Sequence, residues 1–192
     1  MTHVHAEAER NIRNAVAEMH SIENEGGNEI KNNEEEKQQM SSSRVQNAVR
    51  LFESGYNCAQ SVFAAYADLF GMDTQTALKM SSAMGAGVGR MREVCGVVSS
   101  MAMLAGLKEG NADPNDEEAK AHIYGLVRLM SAEFKKQHET IICKELLGIE
   151  GMEESARPSV RTPEFYASRP CRKLIAHGAE IIEEILLVEK KD

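Results

Sequence analysis

Gly55–Gly71 reads GYNCAQSVFAAYADLFG. Two glycines bracket an almost uncharged run in which Cys58, Val62, Ala65 and Leu69 recur at helical spacing. Asn57 is placed to cap the first turn, where a short side-chain oxygen takes up free amide N–H groups. The stretch therefore predicts an amphipathic helix, opened by Asn57 and closed at Gly71, with a cysteine in its first turn.

The same grammar repeats outward in both directions. Residues 44–54 predict a helix that stops at Gly55, and Asp73 or Thr74 opens another that ends near Met84. The glycine loop GAGVGR, Gly85–Arg90, leads into a helix from about Glu93 to Lys108. Beyond a turn at Gly110–Asn115, Ala119, Ile123, Val127, Met130 and Phe134 form one apolar stripe. A short helix follows over Ile142–Leu147 and ends at Gly148. Arg157–Pro170, RPSVRTPEFYASRP, reads as an extended loop set by its prolines. A last helix runs from about Arg169 to Val188, with Ser168 as N-cap and Pro170 in the first turn. No strand alternation or repeat is evident, so the expected fold is all-α, a compact bundle of about six helices.

Residues 1–42 read differently. The first 40 carry nine acidic and four basic side chains, a net of -5 out of -8 for the chain. Ile12, Val16 and Met19 suggest one short amphipathic helix, but residues 21–43 hold only Ile22, Ile30 and Met40 as apolar side chains. Such a segment buries too little surface to offset chain entropy, so a disordered acidic N-terminal arm is expected before a domain over 43–192. Deleting residues 1–40 is expected to leave the fold intact.

Composition narrows the classes. The acidic charge argues against a nucleic-acid partner, which would call for a basic face. The N-terminus has no apolar signal segment, and the most apolar run, Val94–Leu107, is too short to span a bilayer. The expectations are a cytoplasmic location and no membrane insertion. In that compartment four cysteines point to metal, redox or packing roles before a disulfide framework.

Cys58, Cys95, Cys143 and Cys171 each fall in the first turn of an expected helix and on its apolar stripe. Helix N-termini favour anions, which predicts thiolate character. Four thiolates meeting at helix ends would need a cation or cluster, or would be oxidised. Single buried cysteines also serve as small hydrophobes. The spacings contain no CxxC pair, so a zinc ribbon, a thioredoxin-like motif and c-haem attachment are unsupported.

At these residues the chain resembles the C-GCAxxG-C-C family of redox-active proteins, over about Arg44 to Leu187. GYNCAQ supplies Cys58, GAGVGRMREVCGVVSS supplies Cys95, TIICKELLG supplies Cys143 and RPCRKLI supplies Cys171. Val97 stands where the family shows Ala, and Ser100 where it shows Gly. If that Gly permits close approach, Ser100 alters the fit. The resemblance implies a helical redox or metal-binding domain. A similar domain beside a haem domain in split-Soret cytochromes implies an iron–sulfur centre.

Three readings therefore stand. In the first, all four cysteines ligate an iron–sulfur cluster or other thiolate-bound metal and exchange electrons with a redox partner protein, or sense redox state. In the second, two of them work as a metal-free dithiol/disulfide pair. In the third, they only pack a helical interaction module. GAGVGR lacks the spacing and preceding strand of a phosphate loop. Arg90, Arg92 and Arg172 lie near cysteines in sequence and are candidates to offset their charge. Met72, Met80, Met84, Met91, Met101 and Met103 suit an adaptable core better than soft-metal ligation. His122, His138 and His177 show no partner spacing of the HExxH kind, and His3 and His5 fall in the arm expected to be disordered, where no stable site is expected.

Overall fold

The computed structural model describes residues 43–150 and 155–188. The arm, including the short helix expected around Ile12–Met19, lies outside the described residues.

Residues 43–53 form α1. Gly55 follows at φ 101°, the left-handed conformation that lets the chain turn out of a helix. Asn57 then opens α2, Cys58–Tyr66, through a full capping box. Its side chain accepts from the amides of Ala59 and Gln60 at 3.0 Å, and Gln60 Oε1 accepts from the Asn57 amide at 3.1 Å. Residues 61–67 are all buried, so α2 is enclosed on every side rather than along one stripe. That is the outcome of its uncharged sequence. The helix tightens into a 3-10 turn over Ala67–Phe70 before left-handed Gly71. This change of pitch leaves Leu69 44% exposed, against the stripe position expected for it.

The α3 helix, Thr74–Ser81, is capped by Asp73 and followed by a 3-10 turn over Ser82–Met84. Gly96–Glu109 forms α4, and Glu117–His138 forms α5 with Asp116 capping it. Met130 and Phe134 carry the inward end of the α5 stripe. Cys143–Leu146 is the one-turn α6. Pro163–Ala167 is α7, and Cys171–Ile181 is α8, which continues as a π-helical turn over Ile182–Leu186. Around α2, helices α4 and α3 make the most extensive contacts; α8 closes against α2, α4 and α5.

The all-α expectation holds: eight α-helices and no strand occur among the described residues. Several boundaries differ. Arg157–Pro170 is not all extended, because Thr162 accepts from the Phe165 amide at 3.2 Å and Pro163 pre-sets the first helical φ of α7. The α4 helix starts at Gly96 rather than Glu93, because Arg92 sits at φ 65° and Val94 is paired across to Ile142. Pro170, not Ser168, occupies the cap position of α8. Among the described residues no helix is long and apolar enough to cross a membrane.

The two departures at α4 have structural counterparts. Val97 packs where α4 meets α8, and a Cβ at Gly178 would stand 2.0 Å from Val97 Cγ1. The larger residue on α4 is thus matched by an absent side chain on α8. The buried Ser100 hydroxyl lies 2.9 Å from both Ala59 O and Gly96 O, linking α4 to α2.

Candidate functional site: a four-cysteine cavity

Cys58, Cys143 and Cys171 are the first residues of α2, α6 and α8, and Cys95 is the cap residue of α4. Local sequence explains each placement. The Asn57 capping box starts α2 at Cys58, and Pro170 fixes the backbone that enters α8. Cys95 and Cys143 are set together by a short antiparallel exchange. The Cys95 amide donates to Ile141 O at 2.8 Å, the Cys143 amide to Glu93 O at 2.6 Å, and the Lys144 amide to Arg92 O at 3.0 Å. Val94 and Ile142 form the isolated bridge pair between them.

The loop before Cys95 winds left-handed. Ala86, Gly87, Val88, Gly89 and Arg90 all have positive φ, between 55° and 74°. For Val88 this is strained, because a β-branched side chain crowds the left-handed backbone. The need for glycine is sharpest at Gly87, where a Cβ would stand 2.6 Å from the Glu93 amide nitrogen. The loop is thus a packed turn that sets the Arg92–Val94 backbone.

All four cysteines line one cavity of about 60 Å³. Its apolar wall includes Phe52, Val97, Phe165 and Leu174, and three arginines, Arg92, Arg161 and Arg169, also line it. Cys58 is central. Its sulfur occupies the space that a Cβ on Gly96 would enter, 2.7 Å away, so the α2 and α4 starts meet at van der Waals contact. It is also the cysteine whose charge acts most on Cys95, Cys143 and Cys171.

Three of the sulfurs, those of Cys95, Cys143 and Cys171, do not have the expected thiolate character. Burial pushes the Cys171 thiol up to about 12, with the charge of Cys58 adding to the shift. Cys95, 4% exposed, is raised well above its ordinary value, again by burial first and by Cys58 second. Cys143 is raised for the same reasons, partly offset by a hydrogen bond with Arg92. Desolvation of a charged sulfur outweighs the field of the helix ends. All four cysteines are free. Among the described residues no group of three or more His, Cys, Asp or Glu side chains is arranged to hold a metal ion as it stands.

Of the arginines expected near the cysteines, Arg92 lines the cavity, 3% exposed. Arg90 instead donates to Ser159 Oγ at 3.0 Å, and Arg172 turns outward to Glu53 at 2.8 Å. Arg161 and Arg169 were not foreseen. Their signal lay in the arginine-rich Arg157–Pro170 segment that leads into Cys171. The methionines do not line the cavity; Met101 is buried in the core, whereas Met80 and Met91 are exposed. His122 pairs with Glu109 at 2.5 Å, and His138 shares a 2.9 Å hydrogen bond with His177. His3 and His5 lie outside the described residues.

Fold and cavity together define an all-α protein whose cysteines, far apart in sequence, meet at the starts of four helices. The family model described as "Putative redox-active protein (C_GCAxxG_C_C)" matches residues 56–185, a span that contains all four, and the chain belongs to that family. No curated protein and no solved structure matches it.

Proposed function

We propose that the four-cysteine cavity binds an iron–sulfur cluster or other thiolate-bound metal and serves electron transfer or redox sensing. The observation that carries this reading is the convergence of four free cysteines, from four separate helix starts, on one cavity. The donor set fits. Sulfur is the soft ligand of iron–sulfur and zinc sites, and among the described residues no carboxylate or imidazole lines the cavity to compete with it. The buried guanidinium of Arg92 suits hydrogen bonding to thiolate or sulfide sulfur, a contact that tunes such centres. The raised thiols mean that binding would release protons. Cys58, Cys95, Cys143 and Cys171 are the ligands in this reading. Analysis of anaerobically purified protein for iron and acid-labile sulfide tests it: both should be present in fixed ratio to the chain.

A second reading draws on the contact between Cys58 and the α4 start that carries Cys95. Two thiols of the cavity would pass two electrons and two protons to an oxidised partner protein and close as a disulfide. Mass-spectrometric mapping after mild oxidation separates the two: this reading requires one defined disulfide and no bound metal.

A further inference from the structure

Arg161 reaches the cysteine cavity from the residues just before α7, and its side chain is clamped there. The guanidinium lies 4.9 Å from the Phe52 ring centre, 4.6 Å from that of Phe165 and 5.8 Å from that of Tyr166. Nη2 donates to Tyr56 O at 3.2 Å. The rings brace one another, since Tyr166 meets Phe52 and Phe165 edge-on with centres 5.4 and 5.3 Å away. A planar guanidinium stacked in this way keeps its fork in a set direction, which the flexible stem of a lysine does not.

The other terminal nitrogen, Nη1, is buried and has no hydrogen-bond partner. An unmet charged donor in a desolvated place is costly, and such a group in a folded protein asks for an acceptor. The cavity that Arg161 lines holds the four cysteines as candidate acceptors. A neutral thiol accepts weakly, whereas an anionic sulfur accepts strongly from a cation. The pairing therefore belongs to the state in which the sulfurs carry negative charge, the state that a bound metal imposes. Arg161 acts at Cys171, where its charge is felt, while Arg92 bonds with Cys143.

We propose that Arg161 tunes the reduction potential of the four-cysteine site, with Nη1 donating to a sulfur of the bound centre and favouring its reduced form. This rests on the metal-binding reading above. The bound group supplies one-electron transfer: the partner protein loses one electron, the centre gains it, and no bond forms or breaks. The added negative charge spreads onto the sulfurs, so a donor fixed beside them stabilises the reduced state more than the oxidised one.

The test is a mediated redox titration of full-length, anaerobically purified protein, followed by visible absorption, with iron and sulfide content and thermal melting measured on the same samples. Arg161→Gln should weaken the reduced state about tenfold relative to the oxidised one, a fall of about 59 mV in midpoint potential for one electron. Arg161→Lys keeps the charge without the fork and should fall by less. Arg172→Gln removes an equal charge next to Cys171 in sequence, but from a side chain turned outward to Glu53, and should leave the potential unchanged. Equal potentials in wild type and both Arg161 variants, or the same shift in Arg172→Gln as in Arg161→Gln, overturn the proposal. If Arg161→Gln does not fold or load, Arg161→Lys must still show the lowered potential, or the proposal fails. Iron-bearing wild type whose potential is indifferent to Arg161 keeps the functional reading and loses this one. Wild type without iron or sulfide loses both.

Discussion

Val94 and Ile142 face each other as an isolated antiparallel bridge, and each directly precedes a cysteine of the cavity. In an otherwise helical protein this one pairing ties together the starts of α4 and α6. It depends on the left-handed loop, because the carbonyls of Arg92 and Glu93 accept the amides of Lys144 and Cys143.

Gly87→Ala should therefore loosen two cysteines at once. A Cβ there meets the Glu93 amide nitrogen at 2.6 Å, and the residue sits at φ 74°. Strain and overpacking together should cost about 1–3 kcal/mol. Urea denaturation measures the loss, and faster alkylation of Cys95 and Cys143 should accompany it.

The contact between Val97 and Gly178 predicts a compensating pair. Gly178→Ala alone should destabilise by about 1–3 kcal/mol, because its Cβ would stand 2.0 Å from Val97 Cγ1. Adding Val97→Ala should recover part of that loss. A double-mutant cycle should give a coupling of about 1 kcal/mol or more; strict additivity would show that the two helices do not meet through these residues.

Tyr66 joins the central helix to the end of α8. Its hydroxyl donates to Glu183 Oε1 at 2.9 Å, with Ala179 O at 3.2 Å, and burial raises its phenol pKa. Tyr66→Phe removes one donor to the half-buried Glu183 carboxylate. The expected loss is about 1–2 kcal/mol by chemical denaturation.

His138 and His177 make acid a stress on the α5–α8 contact. Burial, and then the charge of His177, hold His138 below its ordinary value of 6.5. Below that pH the unfolded chain takes up the proton more readily than the folded one. The pair's contribution is therefore present above pH 6.5 and lost as pH falls through the lower folded value. Melting temperature should drop on acidification, and His138→Gln should flatten that part of the profile.

Much of the fold was legible because its punctuation is local. Asn57, Asp73 and the glycines at 55, 71 and 148 act through their own backbone neighbours, and each does what its residue type dictates. The helix-start position of Cys58 followed from that punctuation. What the chain did not reveal depends on distant partners. The bridge at Val94 pairs residues 48 apart in sequence, and Arg161, ten residues before Cys171, is brought to the cavity through the turn into α7. The protonation of the thiols was misjudged for the same reason, since helix ends can be read locally but burial cannot. The match between Val97 and Gly178 is likewise visible only once α4 and α8 are side by side.

The central claim is that the four cysteines act as one redox site. The measurement that reaches it most directly is iron and acid-labile sulfide content, with free-thiol count, in anaerobically purified wild type and Cys58→Ser. Cys58 is the sulfur nearest in influence to the other three, so its loss should remove most of the bound metal while the helical fold persists. Wild type should carry iron and sulfide in fixed ratio and expose few titratable thiols. Colourless, metal-free wild type with four titratable thiols, none of which pair on mild oxidation, would contradict the account.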